Sequence, residues 1–258
     1  MAAANGGDWH PFAHISEKEG STMARRTFGQ GVLGLLGGVA FAALSGCRLF
    51  GGNSYRFRMT VQVETPGGVR TGSSVYEVGA GNKVAITREM ATRGWSVKGE
   101  AVAVDLPGGR TLFAVRRTGA HFRDLMGLSM NTLHPNFRGT GYDVVEVAKE
   151  LAHGEYPGPG EVAREDYPLL VTFGDIADPA SVVRVEPDAL ATHFGEGVTL
   201  RCITVELTDD PVTTGIEKRL GWLPSHVGTL VRQPTDLPIG EMPIEQRLIR
   251  TDFRYGDA

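Results

Sequence analysis

The chain has 258 residues, 26 Lys and Arg against 30 Asp and Glu, and a formal net charge of −4, a balance that argues against nucleic-acid binding and a length that allows one large domain or two small ones. Cys47 and Cys202 are its only cysteines, so an ordinary core rather than a disulfide framework has to supply stability. The 35 Gly and 14 Pro favour many short elements joined by tight turns over long helices.

Residues 1–22 (MAAANGGDWHPFAHISEKEGST) are polar and carry no signal logic, whereas Met23 opens one directly. Met23 is therefore read as the true start and 1–22 as a non-native or untranslated leader, which sets Trp9, His10 and His14 aside. Arg25 and Arg26 precede an uncharged run from Gly31 to Leu44 that ends in small residues, so 23–46 has the three parts of a secretory signal. The run fits the roughly 7–15 residues of a signal core and falls short of the roughly 20 that span a bilayer. Counting Thr27, Phe28 and Ser45 brings it near spanning length, and an uncleaved single-span anchor is the competing reading.

Leu44-Ser45-Gly46-Cys47 resembles the lipobox of bacterial lipoproteins. The resemblance implies a diacylglycerol on the Cys47 thiol, cleavage just before it, and acylation of the new amino terminus, with palmitate-type chains. Each buried CH₂ contributes about 0.8 kcal/mol and one chain binds only marginally, so two or three chains would hold the protein stably on a membrane. Arg48 stands where enteric bacteria use Asp for inner-membrane retention, which leans toward the outer membrane. Arg25-Arg26-Thr27-Phe28 also resembles a twin-arginine export signal, but Gly29 and Gln30 depart from its last positions, so Sec and twin-arginine export both stay open. Residues 1–47 hold three basic and three acidic residues, so the mature charge remains −4.

Residues 47–54 form the lipidated Cys and a Gly-rich tether. Residues 55–223 read as an α+β domain, mostly antiparallel hairpins or meander with a few short helices. Tyr55, Phe57, Met59, Val61 and Val63 alternate with polar residues, predicting a half-buried strand. Pro66-Gly67-Gly68 turns the chain into a second strand over Val69 to Val78. A second hairpin is expected from Trp95 to Asp105, through Pro107-Gly108-Gly109, to Arg110 to Arg117, and the shared turn chemistry predicts a four-stranded meander. His121 to Leu133 is weakly helical. Thr140 to His153 is a better helix, with Thr140 and Asp143 as a capping box and Gly154 as its stop. Gly154 to Asp166 reads as a loop. Leu169 to Phe173 reads as a short buried strand, followed by a strand at Val182 to Val185, a short helix from Pro187 to Phe194 and a strong strand at Val198 to Thr208. Thr214 and Glu217 suggest another capping box, for a helix ending near Trp222. Residues 224–258 form a Pro-rich tail, wrapped on the domain or loose, with Arg247 to Tyr255 as an edge strand.

The stretches YRFRMTVQVETPGGVRTGSSV, AVAVDLPGGRTLFA and TDDPVTTGIEKRL resemble an uncharacterised proteobacterial family, many of whose members share the lipidated start. That resemblance covers most of the mature chain and carries no activity onto any residue.

Candidate chemistry is sparse. Ser73 and Ser74 lie in a strand without a nucleophile elbow and read as exposed hydroxyls. His121, His134, His153, His193 and His226 show no ligand spacing. Asp175, Asp178, Asp209 and Asp210 fall near turns, where cap chemistry outweighs calcium binding. Cys202 reads as a small core residue. Arg116, Arg117, His121 and Arg123 read as a solvated surface, with lipid headgroups or an acidic glycan as the functional alternative. The reading is a non-enzymatic, membrane-anchored envelope lipoprotein on the periplasmic side, with an envelope protein or glycan as its partner and no metal or cofactor. The alternative is an envelope hydrolase, whose signature would be His121, His153 or His193 in a pocket beside a serine or carboxylate.

Overall fold

Alternation of apolar and polar residues makes β1 (Asn53–Glu64) a strand with one dry face, and Tyr55, Phe57, Met59, Val61 and Val63 are all buried there. The computed structural model describes residues 53–82, 93–118, 125–134, 137, 143–153, 158–231 and 242–255. A turn closed by the Gly68 N–H on the Thr65 carbonyl at 2.9 Å, with Gly68 at φ +100°, returns the chain as β2 (Arg70–Asn82), antiparallel to β1. β3 (Arg93–Glu100) pairs with the far half of β2, while β9 (Thr199–Leu207) flanks β1 on its other side. Two-residue strands, β6 (Gly160–Glu161) beside β9 and β10 (Arg254–Tyr255) beside β3, complete the order β10-β3-β2-β1-β9-β6. Such short edges leave little backbone for unwanted pairing.

A second antiparallel sheet has the order β4-β5-β7-β8, from β4 (Val102–Leu106), β5 (Arg110–Thr118), β7 (Pro168–Phe173) and β8 (Val182–Val185). Every residue of β7 is buried, because this inner strand of the sheet is covered on both faces and is largely apolar. One face, with Leu112, Ala114 and Leu170, joins the core of the first sheet. The other, with Phe113, Val115, Val171 and Phe173, packs under Ile216, Leu220, Leu248 and Phe253 from the last forty residues of the chain. Phe113, Phe173 and Phe253 meet at ring separations of 5.6–6.2 Å.

Three short helices fill the rest: α1 (Leu125–Leu133), α2 (Val144–Ala152) and α3 (Leu190–Phe194). α1 is buried on nearly all sides, and its polar side chains are paired, Ser129 with the Tyr55 hydroxyl at 2.8 Å and Asn131 with Asp166 at 3.0 Å. α2 lays Val147, Ala148 and Leu151 on β1 and β2. Its N-cap is Asp143, which accepts the Val145 N–H at 3.0 Å, so Asp143 is the cap itself and not the third residue of a box opened by Thr140.

The expected four-stranded meander is not formed. The stretch from Trp95 to Asp105 breaks at Ala101, and its halves enter different sheets. Three contacts force the break. Gly99 has φ +130° and a Cβ there would lie 2.6 Å from the Tyr76 ring, so the chain crosses β2 where a side chain would not fit. The buried Glu100 carboxylate accepts the Ile216 N–H at 2.7 Å, and the Ala101 N–H goes to the Phe253 carbonyl at 2.8 Å instead of into a sheet ladder. Four residues before Tyr76 on β2, a side chain at Gly72 would likewise run into the Ala103 carbonyl.

Glu100 also replaces the helix expected after Thr214. With its carboxylate on the Ile216 N–H and Gly215 at φ +107°, the chain makes only one 3-10 turn, Ile216–Lys218. The edge strand expected over Arg247 to Tyr255 shrinks to β10, because Asp252 folds back to accept the Ile249 N–H at 2.9 Å and winds Arg250–Asp252 into a 3-10 turn. The helix expected from Pro187 begins only at Leu190.

Between β9 and that turn, residues 208–215 form a strap across the polar face of the first sheet. The Arg56 guanidinium donates to the Asp209 carbonyl at 3.3 Å, and Arg58 pairs with Glu206 and Asp210. At the far side Thr213 takes both backbone groups of Val75, its N–H donating to the carbonyl at 3.1 Å and its Oγ accepting the N–H at 2.8 Å, on the β2 edge that β3 has left. Asp105 then holds Arg219 through two bonds of 2.6 and 2.8 Å.

Burial raises the Glu100 carboxyl above its ordinary value of 4.5, against the Ile216 and Gly215 N–H groups and the Arg254 guanidinium 3.6 Å away, with Glu217 adding to the rise. A carboxyl raised in the folded state favours folding below its unfolded value and loses that contribution as pH climbs through the folded one. Lowering the pH from 7 toward 4.5 is therefore expected to stabilise the wild type relative to Glu100→Gln, whose side chain cannot titrate. Urea midpoints of the two proteins across that range check the sign, and a gap that stays constant with pH would refute it.

Candidate functional site

The start of β1, the end of α2 and the start of the strap enclose a cleft of about 530 Å³, lined among others by Ser54, Arg56, Glu77, His153, Thr208 and Asp209. Each element delivers its residue for a local reason. Arg56 and Glu77 face each other on the polar side of paired strands, in register across β1 and β2. His153 is the C-cap of α2, where the helix ends on carbonyls of its last turn. Thr208 continues the ladder by donating its N–H to the Arg56 carbonyl at 3.1 Å.

Two of the cleft's charges, Arg56 and Glu77, are matched within it, and Lys98 joins them from beside it. Arg56 Nε lies 3.2 Å from Glu77 Oε2, and Lys98 Nζ lies 3.3 Å from Glu77 Oε1. Such half-exposed pairs contribute up to about 1 kcal/mol each and mainly hold geometry. His153, Ser54 and two carboxylates thus share one cleft, but no hydrogen bond joins His153 to Ser54 among the described residues. The cleft can hold a small polar ligand; among the described residues the proton relay that activates a serine is not assembled.

The remaining sequence candidates are dispersed. Cys47, Leu44, Ser45, Gly46, Arg25 and Arg26 lie outside the described residues, as do His121 and Arg123. Ser73 is exposed as expected, but Ser74 is buried and donates to the Glu100 carbonyl at 2.8 Å, so it is part of the β3–β4 crossing. His134 is buried with Nε2 3.0 Å from a Glu150 carboxylate oxygen. His193 offers its carbonyl to Arg110, and His226 Nε2 lies 3.0 Å from the Thr229 carbonyl. Asp175 and Asp178 accept the N–H groups of Ala177 and Ala180, both at 2.9 Å, which is turn and cap chemistry. Among the described residues no three His, Cys, Asp or Glu side chains gather as a metal site, and no helix is long and apolar enough to cross a membrane.

Two expectations are corrected. Cys202 is half-buried on the polar face opposite Gln62, where it is no core residue; burial, with Glu161 adding, pushes its thiol up and keeps it protonated. Arg116 and Arg117 are no solvated patch, because the end of the chain lies on them. Arg116 donates to the Thr251 carbonyl at 2.7 Å and to the Val97 carbonyl, and Arg117 Nε donates to Asp252 at 2.9 Å. Sequence reasoning passed over Arg56, Arg58 and Glu100. The polar face of β1 opposite an Asp-Asp pair was the signal available for the first two.

Asp252 is buried beside Arg117, and burial raises its carboxyl despite that partner. Arg117→Ala leaves it without the guanidinium and is expected to cost about 3 kcal/mol, whereas His153→Ala at the cleft should stay within about 0.5 kcal/mol of wild type. Chemical denaturation of both variants tests the contrast. No family model, curated protein or solved structure matches the chain.

Proposed function

We propose that the chain is a membrane-anchored lipoprotein of the bacterial cell envelope whose α+β domain serves binding or assembly on the periplasmic side, with the outer membrane favoured. The observation that carries this reading is Leu44-Ser45-Gly46-Cys47 at the end of an uncharged run, six residues ahead of the first strand. Acyl chains on Cys47 supply the membrane affinity. The polar cleft and the ion-paired outer sheet face suit a polar envelope partner, protein or glycan, over an apolar one.

Intact mass of membrane-extracted protein, beside a Cys47→Ala variant, tests it. The expected wild-type chain begins at Cys47 with added acyl mass, and the variant stays unprocessed. Equal masses for two uncut chains would make Gly31 to Leu44 a spanning anchor and Cys47 incidental.

An envelope hydrolase is the second reading, favoured by one observation: His153 shares its cleft with Ser54, Glu77 and Asp209. On the lipoprotein reading, turnover of p-nitrophenyl acetate should equal the buffer rate and be unaffected by Ser54→Ala or His153→Ala. A rate above buffer that both substitutions abolish would favour the hydrolase.

A further inference from the structure

The strap lies over one half of the outer face of the first sheet. It is held at the row in which Val75, Arg58 and Glu206 stand side by side, and Val75 is buried there. Toward the Pro66-Gly67-Gly68 turn, the next two rows read Ser73-Thr60-Thr204 and Thr71-Gln62-Cys202 across β2, β1 and β9. Alternation turns these side chains away from the core; Thr71 and Ser73 are exposed and the others half-buried. All of them lie in stretches described without a break, 53–82 and 158–231. Strand spacing makes the patch about 10 Å wide, and the period-two rise sets its rows about 7 Å apart, the footprint of a disaccharide.

The patch holds hydroxyls, one amide and the protonated Cys202 thiol. Among the described residues the side chains of Thr60, Gln62, Thr71, Ser73 and Thr204 make no hydrogen bond to the protein, so their donors and acceptors are turned to solvent. Charge stands only at the borders. Arg58 with Glu206 at 2.8 Å closes one end, Arg201 with Glu64 at 3.2 Å closes the other, and Glu161 stands beside Thr204 at the side. A surface without apolar groups does not seat lipid, and one without excess cations does not hold a polyanion, which Glu161 repels. Nor does it carry the aromatic and Arg anchors on which protein partners settle. An uncharged polymer rich in hydroxyls, a glycan, matches the patch. Gln62 on the middle strand narrows the match, because its amide offers a donor and an acceptor side by side, the complement of an acetamido group.

We propose that this face binds a neutral glycan bearing N-acetyl groups, with Gln62 pairing with an acetamide and Thr60, Thr71, Ser73 and Thr204 taking the sugar hydroxyls around it. The glycan assignment rests on the envelope-binding reading, whose anchor at Cys47 is tested separately by intact mass. It places the partner on the open half of the sheet face and not in the His153 cleft.

Calorimetric titration of the full chain, in a detergent without a sugar headgroup, tests it with chitotetraose as the probe and maltotetraose as the counterpart that lacks acetamido groups. Chitotetraose is expected to bind in the millimolar range and maltotetraose at least about tenfold more weakly. Gln62→Leu, which keeps the size of the side chain and removes its amide, should weaken chitotetraose by about tenfold and bring the two sugars level. Thr60→Val, which keeps the β-branch, should weaken both sugars alike. Both positions face solvent, so urea midpoints should stay at the wild-type value. Chitotetraose that does not bind the wild type, that binds both variants as tightly, or that binds no better than maltotetraose overturns the proposal and leaves the Cys47 anchor standing. Self-association in sedimentation that Gln62→Leu abolishes makes the face a contact between copies of the chain, and overturns it as well. A chain without acyl mass that still binds chitotetraose through Gln62 removes the anchor and keeps the site.

Discussion

A buried carboxylate at the point where the chain leaves one sheet for the other organises this molecule. Glu100 sits between β3 and β4, and its Oε2 takes the backbone N–H of Ile216 at 2.7 Å while Arg254 stands 3.6 Å from its other oxygen. Burying a carboxylate is costly unless donors surround it, and here the donors come from distant parts of the chain. The same charge that is expensive to bury therefore specifies where the last forty residues must lie. Gly99 makes the crossing sterically open, and Ser74 ties the Glu100 carbonyl to β2 at 2.8 Å.

Once that crossing is set, the second sheet has two faces to cover. The first is dry against β1, β2 and the helices. The second needs the segment from Ile216 to Phe253, which has little regular structure and holds on by Leu220, Leu223, Leu248 and Phe253. Polar contacts fix its path: the strap on Arg56 and Arg58, Arg219 on Asp105, Asp252 on Arg117. Three stretches far apart in the chain are thus one unit in space. YRFR supplies the arginines, TDDP the strap they hold, and AVAVD the carboxylate that receives Arg219.

The functional reading draws on the two ends of β1. The Asn53 end lines the polar cleft, and the Glu64 end leads into the hairpin turn. In the cleft, Arg56 and Glu77 are paired with each other, which on the proposed reading suits recognition of a polar group.

The hairpin of β1 and β2, the buried β7 and the strand β9 were legible because burial on one or both faces writes a period-two or continuous apolar pattern into the residues themselves. The crossing at Ala101 left only a faint trace: the core residues pass from Val97 to Val102, Val104 and Leu106, a change from odd to even numbering. Alternation tells which residues share a face but not which sheet the face belongs to. Likewise Thr214 and Glu217 spell a helix start locally, and Arg116 and Arg117 spell an exposed basic patch. Tertiary structure overrode both, because Glu100 claimed the Ile216 N–H and Asp252 claimed Arg117. The sequence by itself determined the strands, whose causes are local; only the tertiary structure decided the sheet crossing, the strap and the covered face, because their partners lie up to about a hundred and fifty residues apart and meet only when the core has formed.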